Sequence, residues 1–309
     1  MRRAALCLIA VIAAVFALVA VPGSGVGEQL VSWISHQPPQ DAARGSSTAA
    51  RPDGGPLAPA GAPLRVAIGA MITPERTVHW YEGLFDYVAR AEGRPLRIVQ
   101  RRTYEEVNGL LLRGEVDLAW ICTGAAWQIA DRLAPFVAVV PRVRGETVYY
   151  SYLVVHAGSD IRDLDDLAGR TVALVDSLSL TGRRVAWDLL ERAGRDPDRF
   201  LGRWYYTHGH DYSIRAVARG LADAAFVDSL VYEDLLVRDA DEVRGLEVAA
   251  RYGPFPIPPI VLAPSVDRET REHLVRVLTG LHEDPAAEKL LHELGVERFE
   301  RADPRQYRQ

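Results

Sequence analysis

From residue 64 onward the chain repeats one pattern, which restricts the fold more than any other feature. A short β-branched apolar run is followed by a loop with hydroxyl or aromatic residues, then by an amphipathic helix. Residues 64–69 read as the first strand and 81–91 as its helix. A strand over 96–99 leads through Arg102-Thr103-Tyr104 into a helix ending near Leu112, and VDLAWI over 116–121 leads through Cys122-Thr123-Gly124 into a helix over 125–132. TVALV at 171–175 runs into a loop holding Ser179, Thr181 and Gly182 before a helix ending near Ala193. The run at 204–206 passes through HGHD into 212–219, and 224–227 passes through Asp228-Ser229 into 231–237. Alternating strands and helices imply an α/β fold with mostly parallel sheets covered on both faces.

In such sheets ligands bind beyond the carboxyl ends of the strands, beside the amino ends of the following helices. Tyr104, Thr123, Ser179, Thr181, His210 and Asp228 all occupy such loops. Each alone is an ordinary helix cap; their recurrence points to a shared site. TVYYSYLVV at 147–155 and PPIVL near 258–262 read as two extended crossings between blocks of these units. They predict two lobes joined by a two-strand hinge, one lobe of about 64–150 plus 250–309 and the other of about 151–249, with a small-ligand cleft between them.

The 309 residues, 48% of them hydrophobic, are enough for one large or two moderate cores. The net charge of −5 argues against nucleic acid as a partner, because no basic face displaces counterions from phosphates. Met1-Arg2-Arg3 and the apolar run over 4–21 read as an export signal within residues 1–25, either cleaved or retained as an inner-membrane anchor. Residues 26–63 follow as a flexible tether, its stretch from 37 rich in Pro, Ala, Gly and Ser, and the binding domain spans 64–309. Beyond Cys7 the only cysteine is Cys122, so an internal disulfide and a cysteine-rich metal site are excluded from the folded part.

Several ordered strings resemble one family over nearly all of 64–309: Tyr104 ahead of EEVNGLLLRGEVDLAW, the strand YYSYLVV, DLDDLAGRTVALVDSLSLTG, HGHDYSIRAVARGLADAAFVDS, and DPAAEKLLHELGVERFERAD near the end. The family is the PhnD-like phosphate-, phosphite- and phosphonate-binding proteins of ABC importers, within the type 2 periplasmic binding proteins. The resemblance implies capture of a small oxyanion in the interlobe cleft without catalysis or cofactor, by a periplasmic monomer that delivers it to a permease with a separate ATPase. It implies hydroxyl donors at Ser179 and Thr181, backbone N–H groups near Gly182 at a helix start, Tyr104 closing from the other lobe, and a ring N–H from His210. Asp211 either caps the next helix or orients the imidazole, and Asp228 either accepts from a protonated ligand oxygen or pairs with a ligand amine.

The sequence departs from the family in two places. Leu180 interrupts Ser179 and Thr181 where successive hydroxyls are usual, and Ile121-Cys122 stand where a tyrosine and a small residue are common. Each hydrogen bond missing from a desolvated anion costs about 1–3 kcal/mol, which leaves the ligand open. Against the competing readings, zinc at HGHD lacks third and fourth ligands nearby, and no G-x-S-x-G elbow accompanies a His–Asp dyad. A membrane-tethered sensor of the same fold is the remaining alternative, favoured if residues 4–21 stay in the mature protein. Trp120 is expected in the core, at least two of Tyr149, Tyr150 and Tyr152 in structural roles, and Trp80 and Tyr81 either at the cleft mouth or in packing.

Overall fold

The apolar runs become strands that sort into two sheets in a computed structural model describing residues 61–133 and 136–308. The expected export segment, and most of the tether, lie outside the described residues. The strands in chain order are β1 (Leu64–Ile68), β2 (Leu96–Gln100), β3 (Leu118–Trp120), β4 (Val137–Arg142), β5 (Val148–His156), β6 (Thr171–Leu174), β7 (Arg203–Tyr206), β8 (Ala224–Asp228), β9 (Leu246–Pro256), β10 (Ile260–Leu262) and β11 (Arg298–Arg301). The helices are α1 (Pro74–Ala91), α2 (Tyr104–Arg113), α3 (Thr123–Gln128), α4 (Ala130–Leu133), α5 (Val185–Arg192), α6 (Pro197–Phe200), α7 (His210–Ala218), α8 (Ser229–Arg238), α9 (Arg268–Gly280) and α10 (Pro285–Glu293). None of them is long and apolar enough to cross a membrane.

The first sheet is ordered β11-β4-β10-β3-β1-β2 and the second β7-β6-β8-β5-β9. Pairs formed by the strand–helix units are parallel, β1 with β2 and β3, β6 with β7 and β8. Pairs involving β5 and β9–β11 are antiparallel, so the sheets are mixed rather than mostly parallel. Strand β9 stays paired with β5 as far as Pro256, opposite Val148. The chain therefore returns to the first sheet over residues 257–259. Only Ile260–Leu262 of the expected crossing forms a strand, since Pro258 and Pro259 have no N–H to give a ladder. Helix α1 starts at Pro74, before the expected 81, because proline in a first helical turn loses no hydrogen bond.

One local device recurs in both lobes. Arg65 N–H donates to the Asp117 carboxylate at 2.9 Å while Asp117 N–H donates to the Arg65 carbonyl, tying the start of β1 to the approach to β3. Thr171 N–H and Asp223 repeat this at 2.7 Å between β6 and β8. In each case a glycine three residues earlier, Gly114 or Gly220, holds φ +66° and ends the preceding helix. Asp117 also takes the guanidinium groups of Arg65 and Arg94 at 2.6 and 2.8 Å. The aspartate of the EVDLAW string is therefore a structural staple.

The lobes are shut against each other. Val175, Leu180 and Val185 of the second lobe belong to the same apolar cluster as the core of the first, while two smaller clusters cover the two faces of the second sheet. Helix α3 sits so close to the loop after β6 that a Cβ on Gly124 would stand 2.2 Å from the Leu178 carbonyl oxygen. Glycine is required there for the backbones to meet.

Candidate functional site

The loops after β1, β2, β3, β6, β7 and β8 converge where the lobes meet. After β6, Ser179 caps a single π-helical turn over Leu180–Arg184 that runs into α5. Its Oγ accepts the Gly182 N–H at 3.0 Å, so this amide is engaged within the loop and is not the free donor expected of it. The bond leaves the Ser179 hydroxyl proton to donate elsewhere. Thr181 is fully buried, and its Oγ1 has no partner; its carbonyl is taken by the Ser151 hydroxyl at 2.7 Å.

His210 is the first residue of α7 and is 1% exposed. Its Nδ1 accepts the backbone N–H of Asp228 at 2.9 Å, which places the ring proton on Nε2. Burial drives its pKa down to about 3, so the imidazole is a neutral N–H donor. Asp211 does not orient this ring. Its carboxylate instead reaches across the lobes to the Thr73 N–H at 3.2 Å and is held by Arg215 at 3.1 Å, while the His210 backbone N–H bonds the Met71 carbonyl at 2.8 Å. Residues 210–211 thus form a latch between α7 and the loop after β1. Asp228, at the end of β8, caps α8 by accepting the Leu230 N–H at 2.7 Å. Burial raises its pKa to about 7.

From the first lobe come Tyr104 and Thr123. The Tyr104 N–H donates across the cleft to Asp176 at 3.2 Å, and its side chain is 1% exposed. The Tyr104 hydroxyl lies beside Ser179, but the two do not reach hydrogen-bond geometry and the phenol is unpartnered. Tyr149 on β5 is in the same position beside Thr123. Burial, followed by the neighbouring Cys122 thiol, holds both phenols well above their ordinary pKa. They remain protonated donors. Thr123 donates its own hydroxyl to the Pro256 carbonyl at 2.7 Å, leaving it only acceptor capacity.

The structure therefore brings Tyr104, Thr123, Ser179, Thr181, His210 and Asp228 into one buried cluster, with Gly182 behind it and Asp211 beside it as the latch. Three side chains not singled out for the site belong with it: Tyr149, Cys122 and Asp176. For Tyr149 the signal was the period of two along β5. Tyr149 and Ser151 share the face toward the site, whereas Tyr150 stacks under Arg251 and Tyr152 bonds Glu233. Trp120 is core, 5% exposed.

Three buried hydroxyls with no acceptor, from Tyr104, Tyr149 and Thr181, are each costly to leave unpaired, by about 1–3 kcal/mol. With Ser179 and His210 they make a nest of neutral donors, suited to accepting oxygens from a guest. Two α/β lobes shut over such a nest define a bilobal small-ligand binding protein. The chain belongs to the family described as "ABC transporter, phosphonate, periplasmic substrate-binding protein", whose profile matches residues 66–307. That family is one of periplasmic binding proteins, not enzymes.

Among curated proteins, the phosphate-import protein PhnD of Mycolicibacterium smegmatis is 27% identical over 171 residues, 52% of this chain and 53% of that protein. The chain thus matches about half the length of this relative. Among solved structures, a binding-protein component of an ABC phosphonate transporter from Pseudomonas aeruginosa aligns with TM-score 0.74 at 20% identity, over 80% of this chain and 83% of that one. PhnD1 from Prochlorococcus marinus, solved with methylphosphonate, aligns with TM-score 0.69 at 19% identity, over 79% and 94%. These two likenesses establish the type 2 periplasmic binding protein fold.

Proposed function

We propose that the chain captures a phosphorus oxyanion, a phosphonate, phosphite or phosphate, between its lobes and presents it as a monomer to an ABC permease driven by a separate ATPase. The observation that carries this reading is the set of unpartnered buried donors, Tyr104 Oη, Tyr149 Oη and Thr181 Oγ1, beside the neutral His210. Preorganised neutral donors in a dry site bind an anion strongly because each unmade bond there costs more than in water. Two relatives support the same direction: the Mycolicibacterium protein is a phosphate-import protein, and the Prochlorococcus structure holds methylphosphonate.

In this reading the open form loads the oxyanion on the loop of Ser179 and Thr181. Closure then adds Tyr104, and the latches Tyr104 N–H to Asp176 and Thr73 N–H to Asp211 hold the lobes shut. Asp228, neutral through much of the acidic range, accepts from or donates to one ligand oxygen. Residues 4–21 direct export, consistent with a periplasmic family. The test is a thermal-shift screen of the purified protein against phosphate, phosphite, methylphosphonate, 2-aminoethylphosphonate, sulfate and zinc. Stabilisation by one or more of the phosphorus anions is expected; stabilisation by zinc or sulfate alone contradicts the proposal.

A further inference from the structure

A cavity of about 500 Å³ lies between the first lobe and α8 and meets the site at Asp228, while Tyr104, Tyr149, Ser179, Thr181 and His210 stand outside its walls. Its walls include Trp80 and Tyr81 from α1, Trp120 from β3, Leu230 and Val231 from α8, and Ile257 from the return crossing. Asp228 lies on its boundary and donates its backbone N–H to His210 Nδ1 at 2.9 Å, so this one residue adjoins both the nest and the cavity. The aromatic wall is rigid. Tyr81 packs edge-on against Trp120 at 5.1 Å, and Trp120 is fixed by its indole N–H to the Pro258 carbonyl at 3.0 Å and by Phe299 at 5.4 Å. At the outer end the charges are already paired. Arg238 is held by the Asp234 carboxylate and the Glu293 carbonyl, and Arg144 by Glu233.

A tetrahedral oxyanion alone leaves such a volume unfilled, since one water takes only about 30 Å³ of liquid and ligand pockets of roughly 300–1,000 Å³ enclose drug-sized molecules. Building on the oxyanion reading above, we propose that this cavity receives the organic substituent of the ligand, and that phosphonates bearing a large apolar group of about phenyl size are preferred over methylphosphonate and inorganic phosphate. The nest fixes the three phosphonate oxygens, the P–C bond passes Asp228, and the substituent lies against the indole and phenol rings. Apolar area removed from water then adds to the affinity set by the nest.

The experiment is a calorimetric titration of the full chain with inorganic phosphate, methylphosphonate and phenylphosphonate, repeated on Trp80→Ala and Val231→Trp. Phenylphosphonate is expected to bind at least tenfold more tightly than methylphosphonate to the wild type. Trp80→Ala, which strips a wall, and Val231→Trp, which fills the cavity without removing one, are both expected to erase that advantage while methylphosphonate affinity changes less than threefold. Retained methylphosphonate binding after either change also shows that the variant folds. Equal or weaker binding of phenylphosphonate by a wild type that binds methylphosphonate overturns this inference and leaves the oxyanion reading standing. Failure of all three anions to bind the wild type overturns both.

Discussion

Replacing Asp228 with asparagine separates two buried titrations that oppose each other. The Asp228 carboxyl rises from 3.8 to about 7 through burial, so the folded state binds more protons than the unfolded state between those values. Its contribution to stability is complete below pH 3.8 and is lost as the pH rises toward and through 7. His210 falls from 6.5 to about 3, so its contribution is complete above pH 6.5 and is lost as the pH drops toward 3. At 1.36 kcal/mol per pKa unit the ceilings are about 4 kcal/mol for Asp228 and about 5 kcal/mol for His210. Between roughly pH 4 and 6.5 the two slopes have opposite sign and offset each other. The asparagine amide oxygen still accepts the Leu230 N–H as a helix cap, so Asp228→Asn removes the titration and keeps the cap. The variant is expected to lose about 2 kcal/mol more than the wild type between pH 6 and 4, and to gain stability over it at pH 8. Urea unfolding midpoints at pH 4, 6 and 8 and constant ionic strength measure this. Parallel pH profiles for the two proteins would refute a buried, proton-retaining Asp228.

Other perturbations test separate parts of the structure. Gly124→Ala puts a methyl group where the Leu178 carbonyl stands, so it should weaken ligand binding at least tenfold while circular dichroism and the unfolding midpoint of the free protein change little. Asp117→Ala leaves the Arg65 and Arg94 guanidinium groups without their shared partner and is expected to cost about 3–5 kcal/mol in chemical unfolding. Asp211→Ala releases Thr73 N–H and Arg215, and should raise the ligand off-rate in stopped-flow fluorescence with the on-rate nearly unchanged.

Much of this arrangement is legible along the chain because its signals are local. β-branched runs and helix periodicity mark the strands of the repeated units, and the position of Ser179, Thr181, His210 and Asp228 after strands places them at one cleft whatever their partners. What escapes is set by long-range pairing. The β4 and β11 edge pair joins residues far apart in sequence, Arg142 with Arg298, and neither strand is followed by the loop and helix that betray the others. Asp211 sits next to His210 in the chain, yet helix geometry turns its carboxylate to Thr73 in the other lobe, and the imidazole takes its partner from the backbone of Asp228. Tyr149 hid among three tyrosines because only the register of β5 against β8 and β9 decides which faces inward.

Neutral hydroxyl and imidazole donors, rather than arginine or lysine, are held here to bind the anion, and Thr181 Oγ1 is the least ambiguous of them because it is fully buried and has no protein partner. Isothermal titration of methylphosphonate into the wild type and into Thr181→Val, which keeps the shape and deletes the hydroxyl, addresses that claim directly. One site per chain and a loss of about 10- to 150-fold in the variant are expected for a hydrogen bond to a charged group worth about 1.5–3 kcal/mol. Unchanged affinity in Thr181→Val, or no binding by the wild type, would contradict the account.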